Sequence, residues 1–109
     1  MVHSYMSANG MFQNVGRVYV DKPLPSMPYA QAGIRFETDG SVSLISYFTR
    51  VAYIAGDVLH VNGLYSMTTR KHISAFIRAY APSICFADVR DAVRDNVAIN
   101  IRTGERIPE

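Results

Sequence analysis

The sequence predicts an α+β fold in which an antiparallel sheet of four or five strands carries two short helices on one face. The predicted element order is β-β-β-β-α-α-β. Apolar and polar residues alternate around an Asp39-Gly40 pair, the apolar period becomes helical over 66–80, and alternation returns at 97–101. Since 109 residues is the size of one ordinary domain, residues 1–109 are expected to form a single domain.

The first predicted strand is 15–20, which is rich in β-branched residues. The segment 22–28 follows it and contains three prolines. Proline lacks a backbone donor and has a fixed φ, so this segment is predicted to be a loop and neither a helix nor a central strand.

The middle of the chain predicts a three-stranded meander. Residues 33–38 alternate between apolar and polar side chains, and Asp39-Gly40 is the dipeptide typical of a tight hairpin turn. The next segment, 42–54, is apolar on both alternating faces and is predicted to be one long central strand. Residues 58–62 form the returning strand.

Two helices are predicted after the meander. The first begins with Ser66 or Thr68 as its cap and runs to Tyr80, before Pro82 stops it. Its apolar residues fall at i, i+3, i+4 and i+7, which places them on one core-facing stripe: Ile73, Phe76, Ile77 and Tyr80. The second helix is predicted over 86–95.

Composition and charge exclude several classes of protein. The net charge of +2 is too small to predict nucleic-acid binding by itself. The single cysteine, Cys85, cannot form an internal disulfide or a Cys-rich zinc site, and its apolar neighbours predict a buried thiol. With no apolar run of about 18 residues and no secretory signal pattern, we expect a cytoplasmic protein.

The most specific local feature is the predicted start of the first helix. Three hydroxyl residues, Ser66, Thr68 and Thr69, are followed by two cations, Arg70 and Lys71. Helix N-termini bind anions through free N–H groups, and cations there oppose the helix dipole unless an external anion is present. A phosphate-bearing ligand is therefore one interpretation, and an ordinary helix cap with two solvated cations is the other.

Further side chains complete the candidate ligand site. Tyr47, Arg50 and His72 are expected near the helix start, and aromatic side chains on a sheet can stack on bases or simply pack in the protein. The histidines lack metal-binding spacing, so no metal or other cofactor is expected. No catalytic motif is present. His72 could act beside Tyr65, Arg70 or Lys71, so a small metal-independent phosphodiesterase centred on His72 is an alternative function.

Residues 46–52 and the run Tyr-Ser-x-Thr-Thr-Arg-Lys-His-Ile-x-x-Phe at 65–76 resemble a family of small bacteriophage proteins of unknown function. The resemblance covers about 42–80 and brings no active site with it. It implies a phage-encoded, non-enzymatic inhibitor of bacterial antiviral defence that acts in the host cytoplasm.

Such inhibitors include proteins that sequester cyclic nucleotides or ADP-ribose-type immune signals, often as homo-oligomers. The resemblance thus implies a cyclic nucleotide sponge, that is, a protein that binds the nucleotide signal and keeps it from its receptor. An inhibitor that binds a defence protein or a nucleic-acid complex directly, of the anti-CRISPR or anti-restriction type, is the alternative.

Overall fold

A computed structural model describes residues 13–15, 18–64 and 66–108. In chain order its elements are β1 (Gln13–Val15), β2 (Val18–Val20), β3 (Lys22–Pro23), β4 (Ala32–Phe36), β5 (Val42–Ser46), β6 (Thr49–Ala55), β7 (Val58–Val61), α1 (Met67–Tyr80), α2 (Phe86–Asp95), β8 (Val97–Asn100) and β9 (Arg106–Pro108).

The main sheet has seven strands that lie side by side in chain order, β3 to β9. Every neighbouring pair in it is antiparallel. The two helices are inserted between β7 and β8, which are themselves paired. Strands β1 and β2 form a separate two-stranded ribbon. The predicted α+β class and antiparallel sheet are confirmed.

The predicted count of four or five strands and the order β-β-β-β-α-α-β are wrong. The largest error is the long strand predicted over 42–54, which is two strands joined at Tyr47 and Phe48. Tyr47 has a φ of 57°, in the left-handed region that reverses the chain in tight hairpins. Neither residue is typical of turns, so the apolar alternation concealed the reversal.

In place of the single strand predicted over 15–20, the structure has β1 and β2, which pair with each other. Two further strands that were not predicted lie at the edges of the main sheet. Lys22–Pro23 pairs with β4 although it lies in the segment predicted to be a loop. Arg106–Pro108 pairs with β8, after the last segment for which the sequence predicts a strand, 97–101. Both edge strands are two or three residues long and contain proline, which is tolerated only at an edge or bulge.

The predicted bounds of both helices are confirmed. The Oγ of Ser66 accepts a hydrogen bond from the backbone N–H of Thr69 at 3.2 Å, so Ser66 is the N-cap of α1. Ala81 is the C-cap of α1, directly before Pro82. Helix α2 ends at Asn96, whose φ of 59° and ψ of 46° form a left-handed cap.

Both helices and the strands β4 to β8 contribute to one main core. Its fully buried residues are apolar and include Ile34, Leu44, Leu59, Ile73, Phe76, Val89 and Ile99. A second, smaller cluster joins Val20 to Ile45. Because Ile45 follows Leu44 in β5, the two residues lie on opposite faces of the sheet. The predicted stripe of α1 faces the main core.

Cys85 is exposed and precedes α2, contrary to the predicted burial. The carboxylate of Asp88 accepts hydrogen bonds from the Cys85 backbone N–H at 3.0 Å and from its thiol at 3.3 Å. Apolar neighbours in sequence misled the prediction because the residue begins a helix at the surface. Across the described ranges, no helix combines the length and apolar character that crossing a membrane requires.

Candidate functional site

The outer face of α1 carries three cations around one hydroxyl. Arg70, Ser74 and Arg78 are spaced four residues apart and therefore lie above one another on the helix, with Lys71 beside them. All three cations are exposed, and Ser74 is half-buried. Arg78 donates a hydrogen bond to the Ser74 Oγ at 3.4 Å. The result is a compact basic surface on one helix.

Among the described residues, no carboxylate neutralises this surface. Helix α1 contains no Asp or Glu, and Arg70, Lys71 and Arg78 form no ion pair with any described residue. The arginines elsewhere in the described chain are mostly paired with acids: Arg35, Arg90, Arg94, Arg102 and Arg106. Lys22 and Arg50 lie over aromatic rings instead, so α1 carries three of the five described cations that have no ion pair with a described residue.

Three adjoining shallow grooves surround Ser74, with volumes of about 240, 250 and 350 Å³. Lys71 and Arg78 line the first, together with Ser26 and Met27 from the loop after β3. The others extend towards α2, where Phe86 contributes to both. We call the surface formed by Arg70, Lys71, Ser74, Arg78 and these neighbours the α1 groove.

The hydroxyls at the start of α1 are used differently from one another. Ser66 caps the helix, and its Oγ also donates to the Oγ of Thr69 at 3.3 Å. Thr69 is buried, whereas Thr68 is exposed. Of these three predicted ligand residues, Ser66 and Thr69 bond to each other, and both Ser66 and Thr68 are exposed.

His72 lies inside the protein. Its side chain is 1% exposed, and its Nδ1 lies 2.8 Å from the Oγ of Ser46, which is also buried. Burial lowers the pKa of His72, because a charged imidazole loses its hydration there. This histidine therefore links α1 to β5 as a neutral side chain.

Tyr47 is brought next to the helix. Its ring centroid lies 5.9 Å from that of His72, and the side chain is 42% exposed. The tight turn between β5 and β6 puts it there, which the predicted continuous strand did not anticipate. Tyr47 thus lies beside α1, where it contacts His72. His72 is the residue that follows Lys71 in the helix.

Arg50 is not brought to this group. It lies over the ring of Tyr53 at 4.2 Å, and Tyr53 stacks on His60 with centroids 4.5 Å apart. Because Tyr53 alternates with the core residues Ala52 and Ile54, these rings lie on the face of the sheet opposite the helices. The predicted site residues are therefore divided between two faces.

The sequence interpretation omitted several residues of the α1 groove. The predicted ligand site lacks Ser74 and Arg78 of α1, and it also lacks Ser26, Met27 and Phe86. A run of 14 helical residues with no acid was visible in the sequence and could have indicated the basic face. The loop after β3 and helix α2 come close to α1 only in the tertiary fold, so the sequence does not show them as groove walls.

Among the described residues, no three His, Cys, Asp or Glu side chains are grouped so that they could hold a metal ion.

Comparison with known proteins gives one match. A family model described as a family of unknown function, DUF8033, matches residues 6–89, which includes all of α1 and the α1 groove. No curated protein matches the chain. No solved structure matches it either. Since the match covers more than half of its residues, the chain belongs to the DUF8033 family of unknown function.

Proposed function

We propose that this protein binds a phosphate-bearing small molecule without converting it, and that it is a phage-encoded inhibitor that sequesters a nucleotide-derived signal of bacterial defence. The observation that carries the proposal is the α1 groove. Three exposed cations there surround a hydroxyl and have no carboxylate partner within the described structure. The phage setting and the homo-oligomer are the parts taken from the resemblance.

Electrostatics favour an anion in this groove. Arg70 and Lys71 are the fourth and fifth residues of α1, close to the positive end of the helix dipole, and no acidic side chain lies in the first turn. A bound phosphate would relieve the repulsion between these charges. An arginine can donate two parallel hydrogen bonds to phosphate, lysine contributes a point charge, and the Ser74 hydroxyl can donate as well.

The groove also has apolar walls. Met67 and Phe86 line the largest part of it beside Arg70 and Lys71. Inorganic phosphate would not use these walls, whereas an organic phosphate could bury part of its carbon skeleton against them. The combination supports an organic phosphate ligand.

The position of His72 disfavours the phosphodiesterase alternative. A general acid or base must come within hydrogen-bond reach of its substrate, and the side chain of His72 is buried and bonded to Ser46. No other histidine lies on α1. Binding without turnover is therefore the better interpretation of this surface.

The test is native mass spectrometry of the purified protein with cyclic dinucleotides, cyclic oligonucleotides and cyclic ADP-ribose isomers. We expect one class of ligand to be retained with unchanged mass. Lys71→Ala and Arg70→Ala should each weaken that binding about 10-fold or more, because a charge-assisted hydrogen bond to phosphate is lost. The same spectra report the subunit count.

Arg94→Ala is the matched control, because Arg94 is an exposed helical arginine already paired with Asp91 and Asp95. It should bind like the wild type. Conversion of the ligand to a product would identify an enzyme instead. Retention of no nucleotide, with salt-dependent binding to DNA or RNA, would favour the macromolecular inhibitor.

A further inference from the structure

Large aromatic side chains are exposed at the end of the sheet beside α1. Tyr47 and Phe48 form the turn between β5 and β6, and they are 42% and 63% exposed. Tyr29, in the loop before β4, is 97% exposed. Burying aromatic rings is strongly favourable, so rings left open to solvent next to a candidate ligand site are potential contact groups.

The loop between β3 and β4 connects this aromatic end to the α1 groove. At one end of the loop, Ser26 and Met27 line the groove beside Lys71. At the other, the carbonyl of Gln31 accepts a hydrogen bond from the Tyr47 backbone N–H at 2.8 Å. The five residues from Met27 to Gln31 span at most about 18 Å, which limits the distance between the groove and the Tyr47 backbone. The Tyr47 ring also contacts His72, the residue after Lys71.

Tyr47 adopts an unusual backbone conformation. Its φ of 57° is rarely populated by bulky residues and is energetically unfavourable for them. The hydrogen bond to Gln31 and the contact with His72 hold the residue in place. A glycine or asparagine would form this turn with less strain, so the fold alone does not account for a tyrosine here.

We propose that the ligand of the α1 groove carries an unpaired nucleobase, and that Tyr47 and Phe48 form the platform on which this base stacks. The inference rests on the proposed function, since the cations of the groove would hold the phosphates of the same molecule. Cations beside accessible aromatic rings are the arrangement by which proteins bind unpaired nucleotides. The ligand class is then a nucleotide with at least one base free to stack.

The test compares two probes, ATP and tripolyphosphate, by isothermal titration calorimetry on the full chain. The wild type should bind ATP more tightly than tripolyphosphate. In a Tyr47→Asn/Phe48→Ser variant, the ratio of the two affinities should fall about 10-fold or more, while tripolyphosphate affinity stays unchanged. Asn tolerates a positive φ, so this variant keeps the turn, and circular dichroism checks its folding.

The outcomes separate the two proposals. If tripolyphosphate binds in a Lys71-dependent way but ATP gains nothing from the aromatic residues, the base platform is wrong and the phosphate site stands. If neither probe binds, both proposals are overturned. A ratio that falls equally in Tyr53→Ser, on the opposite face of the sheet, would also contradict the platform.

Discussion

At the scale of single residues, the buried hydrogen bond between Ser46 and His72 shows how a polar pair joins a helix to the sheet. Both side chains are almost inaccessible, and their 2.8 Å contact pairs the Ser46 hydroxyl with Nδ1 of His72. No buried side-chain nitrogen or oxygen among the described residues lacks a partner. An unpaired imidazole in this position would be costly, so the pair fixes α1 against β5.

This pair predicts that stability falls as the pH falls below neutral. Burial lowers the pKa of His72 below 6.5, so the unfolded chain takes up a proton there before the folded chain does. The stabilisation is complete above about pH 7 and is lost as the pH falls through the unfolded value of about 6.5. Urea unfolding at pH values from 7.5 to 5.5 measures the slope.

A His72→Asn variant should be less stable at pH 7.5 and should have a flatter slope over that interval. The wild type, unfolded in the same buffers at the same pH values, is the reference for both comparisons. Equal slopes in the wild type and in His72→Asn would contradict this explanation.

At this scale, the sequence predicted the hairpin turn at Gly40 and missed the one at Tyr47. Gly40, with a φ of 91°, lies in a hairpin turn that the Asp-Gly pair predicted. Tyr47 makes a comparable reversal with none of the usual turn residues. Its hydrogen bond to Gln31 crosses to another part of the chain, so the information that fixes this turn is not local.

At the scale of elements, the two helices use their arginines in opposite ways. In α2, Arg94 pairs with Asp91 at 3.5 Å and with Asp95 at 3.2 Å, and its hydrogen bond lowers the pKa of Asp95. These exposed pairs contribute little to stability. In α1, neither arginine pairs with an acid in the part of the chain that the structure describes. This difference, more than the net charge, distinguishes α1 as a binding surface.

The close approach of β2 to β4 gives a second prediction. A Cβ at Gly33 would lie 2.8 Å from the Val20 Cγ2 and 2.9 Å from the Lys22 carbonyl oxygen. Gly33→Ala should therefore destabilise the protein by about 1–3 kcal/mol, the usual cost of overpacking. Chemical denaturation measures the change in the free energy of unfolding.

Repeating Gly33→Ala in a Val20→Ala background should recover part of the loss, because one of the two clashes is removed. The clash with the Lys22 carbonyl remains in the double variant. A substitution at Gly33 that changes nothing in either background would show that β2 and β3 do not pack against β4 as described.

The helices were predictable because their limits are set locally. Ser66 caps α1, Pro82 follows its end, and the apolar period fits one face. Edge strands such as Lys22–Pro23 exist because a neighbouring strand pairs with them, and their own residues give no pattern. Arg70 and Lys71 could be named from the sequence because they belong to a locally defined helix. The groove walls come from the loop after β3 and from α2, and the tertiary fold brings them there.

At the scale of the whole molecule, the sheet continues past the region shared with the family. The family match ends at residue 89, yet Ile99 of β8 is 2% exposed and belongs to the main core. β8 pairs with β7 and so joins the meander to the end of the chain. Strand β8 thus packs into the same sheet and the same core as the strands within the family match.

Ile99→Ala should cost about 2–5 kcal/mol, because it leaves a cavity in a core that both helices share. Ile107→Ala in β9 is the control and should cost less, since Ile107 is only half-buried at the sheet edge. Thermal unfolding should remain one transition in both variants. A second transition, or no loss of stability for Ile99→Ala, would mean that β8 is not integral to the core.

The central claim is that the outer face of α1 binds the phosphates of a ligand, and chemical-shift mapping of the ¹⁵N-labelled protein with tripolyphosphate tests it most directly. We predict that the largest shifts fall on Arg70, Lys71, Ser74 and Arg78, with smaller ones at Ser26 and Met27, and that Lys71→Ala reduces all of them. Shifts centred on Arg50 or on α2, or no saturable shifts at all, would contradict the claim.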